Sequence, residues 1–584
     1  MFGTNKQFSL ERLPFSVSGA FLSVYQPTDE KKLYFSICRS EGGTIERPKL
    51  LRIDLVSDGE DLPYIYYCDE AKLTIESPKG TAEITYEAAE IMRIRVKDVT
   101  MSVHFEPRVH EGGCERAPGE VELAFSFLGK LLFKDISGTM RNNAKWNFRQ
   151  VCPYPFQIEI QPGADGYGEA AVHEYYSNAV AKDSYIPFDE AHIKMMAKFE
   201  EFFKNYPETP IQYRDMARKA AWVIWHTRLG PRGGLKNTMV YMQKQFMINA
   251  YGWQQCFHAM AMKNNAKEAL GMLLVMFDYQ NEHGGIPDHV SDTNQQSWIC
   301  TKPPLFGYSV CYMLDNFDLS GLTISDYELL YGKLAAYTNY WFNQHDHMRT
   351  GFPSYYHANE SGYDEATLFL EGLPLQAADL QAYMVMLCEA CSRLATLTGK
   401  NEEAESWMSE SKRVLSFLTD ELWDGEQFLA KHPGSGKLYK CGSIAQLQPI
   451  MLGKRLPAEI ISKLKNRLLD ENEYLTEYGI ATEHLKSDKV VMRAFTRGAV
   501  VAPSQCLLIL GLHDAGEEEA ARLIAARYLN ALMVKGLALG IHHYRTEPVL
   551  GDEIALEQTP RAVGFPLSPW VSSIFMILAN GIGL

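Results

Sequence analysis

At 584 residues the chain is too long for one ordinary hydrophobic core, so two domains, or a large barrel with an appended domain, is the architecture its length allows. Hydrophobic residues at 46% and charged residues at 22% exclude a disordered chain. A net charge of −15 with no basic run excludes nucleic acid or an anionic membrane surface as the main partner.

Up to about residue 180 the pattern has period two, as in Leu51-Arg52-Ile53-Asp54-Leu55, Ile91-Met92-Arg93-Ile94-Arg95-Val96-Lys97 and Val121-Glu122-Leu123-Ala124-Phe125. Turn clusters such as Glu41-Gly42-Gly43 and Pro162-Gly163-Ala164-Asp165-Gly166 separate these runs, and the whole predicts an antiparallel β-sandwich over residues 1–187. From Phe188 the texture becomes helical, with Ile193, Met196, Phe199, Phe202 and Phe203 on one predicted face, and it ends near Pro207. This reads as a linker helix over 188–210. Beyond it nearly everything is amphipathic helix joined by Gly-, Asp- and Asn-rich loops, with paired helices around 212–280, 303–345, 455–470 and 503–534. Leu380, Tyr383, Met384, Leu387, Cys388, Cys391 and Leu394 follow helical spacing that stops at Gly399, and Asn401 can cap a further helix to about Leu422. Antiparallel helix pairs with alternating short and long loops predict an (α/α)6 barrel over residues 211–584, without a fixed sequence period. The fold class is therefore mostly α with an N-terminal β domain.

The eleven cysteines are scattered, odd in number and mostly set in apolar runs, so they read as reduced core thiols. The CxxC formed by Cys388 and Cys391 lies inside a helical pattern, where packing is the expected role. Met1–Lys6 has no apolar segment behind a basic flank, and no run approaches ~20 apolar residues. A cytoplasmic protein is the expectation.

Chemistry concentrates in Asn359-Glu360-Ser361-Gly362-Tyr363-Asp364-Glu365, an acid-rich loop in the helical half, preceded by Gly351-Phe352-Pro353-Ser354-Tyr355-Tyr356-His357. Glycosidic cleavage needs a carboxylic acid to protonate the leaving oxygen and, for inversion, a base on the opposite face of the sugar. Asp364 is the first candidate acid. Glu360 and Glu365 stand beside it, and neighbouring like charges favour keeping a proton.

Glu360-Ser361-Gly362-Tyr363-Asp364 resembles the ESGxD motif of the trehalase and glycoside hydrolase family 63 clan of six-hairpin glycosidases, which includes the mannosylglycerate hydrolase relatives. The resemblance implies that Asp364 is the general acid. It continues in order along the chain. Tyr251-Gly252-Trp253-Gln254-Gln255-Cys256-Phe257-His258 is similar to GWDxxFH, and Phe277–Gln280 with Gly284-Gly285-Ile286-Pro287 to the Q…G.IP element. Thr301-Lys302-Pro303-Pro304-Leu305 is similar to QPPL, and Ala378-Asp379-Leu380-Gln381-Ala382-Tyr383 to DLNAY. Tyr478–Glu483 is similar to YGLATE, and Arg497–Pro503 to RGPIWAP. On this resemblance Trp253, Gln254, Tyr356, Glu360, Tyr363, Glu483, Arg497, His543 and Trp570 are the expected substrate-binding residues. The aromatics among them, with Trp298 and Tyr355, would offer flat faces to pyranose rings.

Three departures stand out. Gln254 replaces the family's aspartate after the tryptophan, and Thr496 replaces a tryptophan before Arg497. Where the family carries its general base as a glutamate in E-N-F or E-Y-F, followed by F-x-W, this chain has Gly540-Ile541-His542-His543-Tyr544-Arg545-Thr546-Glu547, and then Phe565–Trp570. Three accounts of the base are open. Glu547, Glu553 or Glu557 takes its place; His542 or His543 is itself the base; or phosphate is the nucleophile, held by His542, His543, Arg545 and Arg497.

The resemblance implies an inverting glycoside hydrolase acting on an α-linked disaccharide, short oligosaccharide or small glycoside. The alternatives are an inverting phosphorylase and a non-catalytic carbohydrate-binding relative. His258, on an apolar helix face, reads as a hydrogen-bonded core residue. His283, Asp288 and His289 lack the further ligands of a metal site, so neither metal nor cofactor is expected, and the partner is a small carbohydrate.

Overall fold

The computed structural model describes residues 10–11, 13–27, 29–39, 49–106, 110–126, 128–144, 156–179, 182–244, 247–293, 296–491, 494–533 and 568–581 in full, and the backbone of 534–535, 540–544 and 547–550. It resolves into two compact units. The first comprises Met1–Phe203 with Ile224–Asn249 and Ser291–Gln295; the second comprises Lys204–Val223, Ala250–Val290 and Gln296–Leu584.

The first unit is an antiparallel β-sandwich. One sheet runs Leu22–Tyr25, Leu33–Ile37, Leu51–Ser57, Thr100–Phe105, Phe156–Gln161, Thr139–Asn142, with Glu60–Leu62 folded back on Leu51–Ser57. The other runs Gly112–Ala117, Glu120–Phe125, Gly129–Ser137, Tyr167–Tyr175, Ile91–Lys97, Gly80–Ala88, Leu73–Ser77, Ile65–Cys68. The period-two pattern sets the inner faces: Val121, Leu123 and Phe125 point inward from one sheet, Phe156, Ile158 and Ile160 from the other. Rings meet across the interior, Phe35 with Phe133 at 6.4 Å and Phe105 with Phe125 at 5.1 Å between centroids. Within this unit the buried Lys244 ammonium donates to Ser16 Oγ at 2.9 Å, Val17 O at 3.2 Å and Ala20 O at 2.6 Å, tying the segment 224–249 to the N-terminal strands.

The expected linker helix is α1, Phe188–Phe203, but its buried face differs from the predicted one. Phe188, Ala191, Met195, Phe199 and Phe202 face inward, while Ile193 is 66% exposed. Spacing counted from Phe188 is the one that keeps the aromatic ends of the helix on a single stripe.

The second unit is an (α/α)6 barrel. Helix α2, Arg214–Thr227, precedes a ring of six inner segments: α3 (Gly252–Ala261), α5 (Phe306–Asn316), α7 (Ala378–Leu397), the 3-10 segment Gln448–Arg455, α10 (Ala502–Asp514) and α12 (Pro569–Gly581). Each packs on the next, and α12 returns to α3, which closes the ring. Outer helices α4 (Ala266–Leu274), α6 (Ile324–Gln344), α8 (Asn401–Glu421), α9 (Ala458–Leu468) and α11 (Glu518–Lys535) alternate with them. Composition sorts the two walls. Helix α10 is buried all round from Ala502 to Leu512, whereas α8 buries only the stripe Ala404, Ser411, Val414, Phe417, Leu418. Helix α8 begins at Asn401 itself, with Lys400 in the capping position and no side-chain cap, so Asn401 is not the cap that its residue type suggested. Two glycines mark backbone-on-backbone crossings of the inner wall. A Cβ at Gly307 would lie 2.4 Å from Leu387 Cα, and one at Gly511 would lie 2.3 Å from Ile450 O.

The cysteines among the described residues are free, and Cys388 and Cys391 are buried. His258 is buried, with Nδ1 2.7 Å from Ser573 Oγ. Among the described residues no helix is long and apolar enough to cross a membrane.

Candidate active site

Five of the seven motif segments fall at or just before the starts of inner helices. Tyr251 and Trp253 open α3, Thr301–Leu305 lead into α5, the acid loop and Asp379 lead into α7, Arg497–Pro503 lead into α10, and Trp570 opens α12. Because the inner segments share one direction, these starts gather at one mouth of the barrel.

The acid loop is fastened at nearly every residue. Tyr355 exchanges two backbone hydrogen bonds with Leu375, at 2.8 and 3.1 Å, and its hydroxyl donates to Asp379 Oδ2 at 3.0 Å. Glu360 turns back over the 3-10 turn Ala358–Ser361, its Oε2 accepting from the N–H of Tyr356 at 2.8 Å and of His357 at 3.2 Å. Gly362, at φ 71°, lies flat on the Trp253 indole, where a Cβ would come within 2.4 Å of Cη2. The Tyr363 hydroxyl donates to Gln448 Oε1 at 2.7 Å. Past the acid, Glu365 N donates to Thr496 Oγ1 at 3.2 Å, Arg497 Nε donates to Glu365 O at 2.5 Å, and Thr367 Oγ1 donates to Glu483 Oε2 at 2.8 Å. Asp364 is exposed, and its carboxylate makes no hydrogen bond to a described residue.

Burial governs the charges beneath. It pushes the Glu360 carboxyl up to about 7 despite its two N–H donors, and pushes Asp379 up to about 7 despite the Tyr355 hydroxyl. His345, 3.8 Å from Glu360, is drawn down to about 4 by burial and is neutral at pH 7. Glu483 is fully buried and held above the ordinary carboxylate range by that burial. Lys302 lies nearby with its ammonium 3.3 Å from Asp288 Oδ1 and 3.4 Å from Asn359 O. Burial pulls its proton affinity down, but the charges of Asp364 and Asp288 outweigh that and raise it, so the amine stays charged. The Asp288 carboxyl is pushed up by burial and, more strongly, down by His289 and Lys302; its Oδ2 is 2.7 Å from His289 Nδ1. Cys300 sits amid these groups, its thiol pushed up to about 12 by burial and by Asp288, Glu360 and Asp364.

Of the expected binding residues, Trp253, Gln254, Tyr363 and Trp570 are buried; Gly362 of the loop rests on Trp253, whose indole is 4.5 Å from that of Trp570 and inclined to it at 62°. Tyr356 is half-buried, its hydroxyl accepting from His347 N at 3.2 Å. Arg497 is half-buried against the acid loop, and Glu483 lies under it. His542, His543 and Glu547 are described in backbone only. Strand Gly540–Tyr544 pairs with Ala499–Val501, His542 opposite Ala499, and then with Glu547–Leu550, so that Tyr544 faces Glu547 in register. Arg545, Glu553 and Glu557 lie outside the described residues. Sequence reasoning missed Lys302, Asp288, Asp379 and Gln448 as members of the site. The available signals were a cation in the glutamine position of QPPL and a carboxylate opening an otherwise largely apolar helix.

The chain matches a family model, the mannosylglycerate hydrolase MGH1-like glycoside hydrolase domain, over residues 247–545. No curated protein matches it. Among solved structures it is similar to an uncharacterized conserved protein from Thermus thermophilus, with 17% identity, a TM-score of 0.51, and coverage of 62% of this chain and 99% of that one. A GH63 mannosylglycerate hydrolase from the same organism, in complex with Tris, is also similar, with 17% identity, a TM-score of 0.50 and coverage of 61% and 98%. A bacterial glucoamylase complexed with acarbose shares 9% identity at a TM-score of 0.60, covering 98% of this chain and 94% of that one, so the likeness of fold extends through the β-sandwich as well. Seven ordered motifs around the mouth of an (α/α)6 barrel and a family match across more than half of the chain agree: this protein belongs to the mannosylglycerate hydrolase MGH1-like glycoside hydrolases and is a glycosidase.

Proposed function

We propose that the enzyme hydrolyses an α-linked disaccharide, short oligosaccharide or small glycoside with inversion at the anomeric carbon, and that Asp364 is its general acid. The observation that carries this reading is a contrast within one loop. Tyr355, Glu360, Gly362, Tyr363 and Glu365 are each tied to the barrel, while the Asp364 carboxylate is left exposed. A general acid needs that combination of a fixed backbone and an open carboxyl. Asp364 gives its proton to the glycosidic oxygen as the bond to the anomeric carbon breaks, and water attacks the opposite face while a base takes its proton.

The base comes from the hairpin Gly540–Leu550 or the residues after it: Glu547, Glu553, Glu557 or His542. In support, that hairpin is hydrogen-bonded to Ala499–Val501, two residues beyond Arg497, which itself binds the acid loop. Arg497, His543 and Tyr356 belong to the substrate-binding side of this reading. The enzyme is read as cytoplasmic.

Asp364→Asn should abolish turnover of unactivated glycosides while circular dichroism and melting stay unchanged; retained turnover sinks the assignment. The substrate panel should include mannosylglycerate, named for the similar Thermus enzyme, and proton NMR of the first-formed anomer reads inversion directly. Phosphorolysis, the second reading, rests on the histidines at the expected base position. It requires a sugar 1-phosphate product, and equal rates with and without phosphate exclude it.

A further inference from the structure

We propose that the barrel holds a second small-molecule site at the end away from the acid loop, a cavity lined by Tyr308, Tyr312 and Asp514 that binds an organic ammonium ion. None of the residues lining it belongs to a motif segment, so the proposal stands independently of the reading of Asp364.

The cavity has a volume of about 310 Å³, at the small end of the range that holds small molecules, roughly 300–1,000 Å³. Its walls come largely from the ends of inner segments: Asp315 in the last turn of α5, Arg455 closing the 3-10 segment, Asp514 closing α10 and Gly581 closing α12. Tyr308, Tyr312 and Asp315 follow i, i+4, i+7 spacing, so a single face of α5 lines the cavity with two phenols and then a carboxylate. Tyr308 is 7% exposed, yet its hydroxyl is open to the cavity and makes no hydrogen bond to a described residue. The Tyr312 hydroxyl is likewise open and without one. A buried phenol normally finds a partner, because its hydroxyl otherwise loses hydration with nothing in return. Burial, helped by the charge of Asp514, pushes the Tyr308 hydroxyl well above the ordinary phenol range, so it is presented neutral and can accept.

The sign of the ligand follows from the charges around the cavity. Where α5, α10 and α12 end, their last carbonyls lack intrahelical donors and carry the negative ends of the backbone dipoles. The guanidinium of Arg455 is already committed, with Nε 2.5 Å and Nη2 2.6 Å from the two oxygens of Glu389. Asp514, half-buried, has only long contacts: the Lys454 ammonium at 3.2 Å, which is largely exposed, and Lys454 N and Arg455 Nη1, both at 3.3 Å. An anion entering here meets the carbonyl ends and Asp514, and has to take Arg455 from Glu389. A neutral polyol can satisfy the phenols but brings no charge to Asp514. An ammonium has N–H donors for both the Tyr308 hydroxyl and Asp514, and the dipole ends favour it. Cys311, Met386, Met451 and Leu510 supply the apolar part of the lining, which suits a compact hydrocarbon body behind the charge, and phenol rings attract a cation through their faces.

Calorimetry on the full-length protein tests this with cyclohexylammonium, and with cyclohexanol and cyclohexanecarboxylate as its neutral and anionic counterparts. The ammonium should bind, and the other two should bind at least about 10-fold more weakly. Tyr308→Phe removes one oxygen and leaves the ring in place. That variant and Asp514→Asn should each weaken the ammonium by roughly 10-fold or more, the loss expected for a hydrogen bond to a charged group. Asp364→Asn should leave the affinity unchanged, which separates this cavity from cation binding at the mouth. Melting of Tyr308→Phe should match the wild type, so that lost affinity is not lost fold; should it not, Asp514→Asn carries the comparison. Affinity that falls with Asp364→Asn but not with the cavity variants overturns the proposal. So does equal or tighter binding of the alcohol or the carboxylate, or no binding of the ammonium to the wild type, which would leave the cavity to water alone. A failure of the acid assignment shows as retained turnover and moves none of these affinities.

Discussion

Gly362 shows how closely one residue can fix the loop that carries the proposed acid. It has φ 71° and its Cα faces the Trp253 indole so closely that any side chain collides at 2.4 Å. Two costs therefore add: a left-handed backbone disfavoured for other residues, and displacement of a buried ring that also packs on Trp570. Gly362→Ala should destabilise the protein by roughly 2–4 kcal/mol and, because Asp364 is two residues on, lower kcat more than it raises KM. Melting and steady-state kinetics measure both, and an unchanged kcat would mean that the seat on Trp253 does not position the acid. The glycine was visible in the sequence as part of a motif. The reason for it was not, since Trp253 is more than a hundred positions away.

At the scale of the element, the acid loop is a strap with two carboxyls of raised proton affinity in its fastenings. Glu360 and Asp379 are both pushed to about 7 by burial, against an ordinary carboxylate range near 4. A carboxyl raised in the fold holds more protons than in the unfolded chain, so its contribution is fully present at low pH and is lost as pH rises through the folded value. Stability should therefore fall between about pH 4 and pH 7, by up to about 4 kcal/mol per group, and level off above. Glu360→Gln and Asp379→Asn should each flatten that slope in urea titrations across the range; a slope identical to wild type in both would refute it. The sequence showed the strap and its acids. It did not show which acids are anchors, because Tyr355 to Asp379 and Tyr363 to Gln448 are contacts made only once the barrel has closed. Helix α1 teaches the same lesson in small: the spacing announced a helix, but Ile193 was assigned to the wrong face because two stripes of similar apolarity competed and only the packing partner chose.

For the whole molecule, the division into a β-sandwich and an (α/α)6 barrel was legible because hydrophobic period and composition change together near residue 188, and because inner and outer helices differ in how far round they are apolar. The close approaches that seat one inner helix on the next, such as Gly307 against Leu387, were not. Gly307→Ala should cost about 1–3 kcal/mol by forcing α5 off α7, and should lower activity through the ring rather than through any contact with substrate. Melting temperature and kcat/KM should then fall together, and a change in kcat/KM without a change in melting would contradict this route. The shared direction of the inner helices has one more consequence. Each inner α-helix presents the positive end of its backbone dipole, equivalent to about half an elementary charge, to the same mouth. That mouth therefore carries an electrostatic field written in peptide groups rather than side chains. It eases the crowding of Asp288, Glu360, Asp364, Glu365 and Glu483 near that mouth, and survives every side-chain substitution named above.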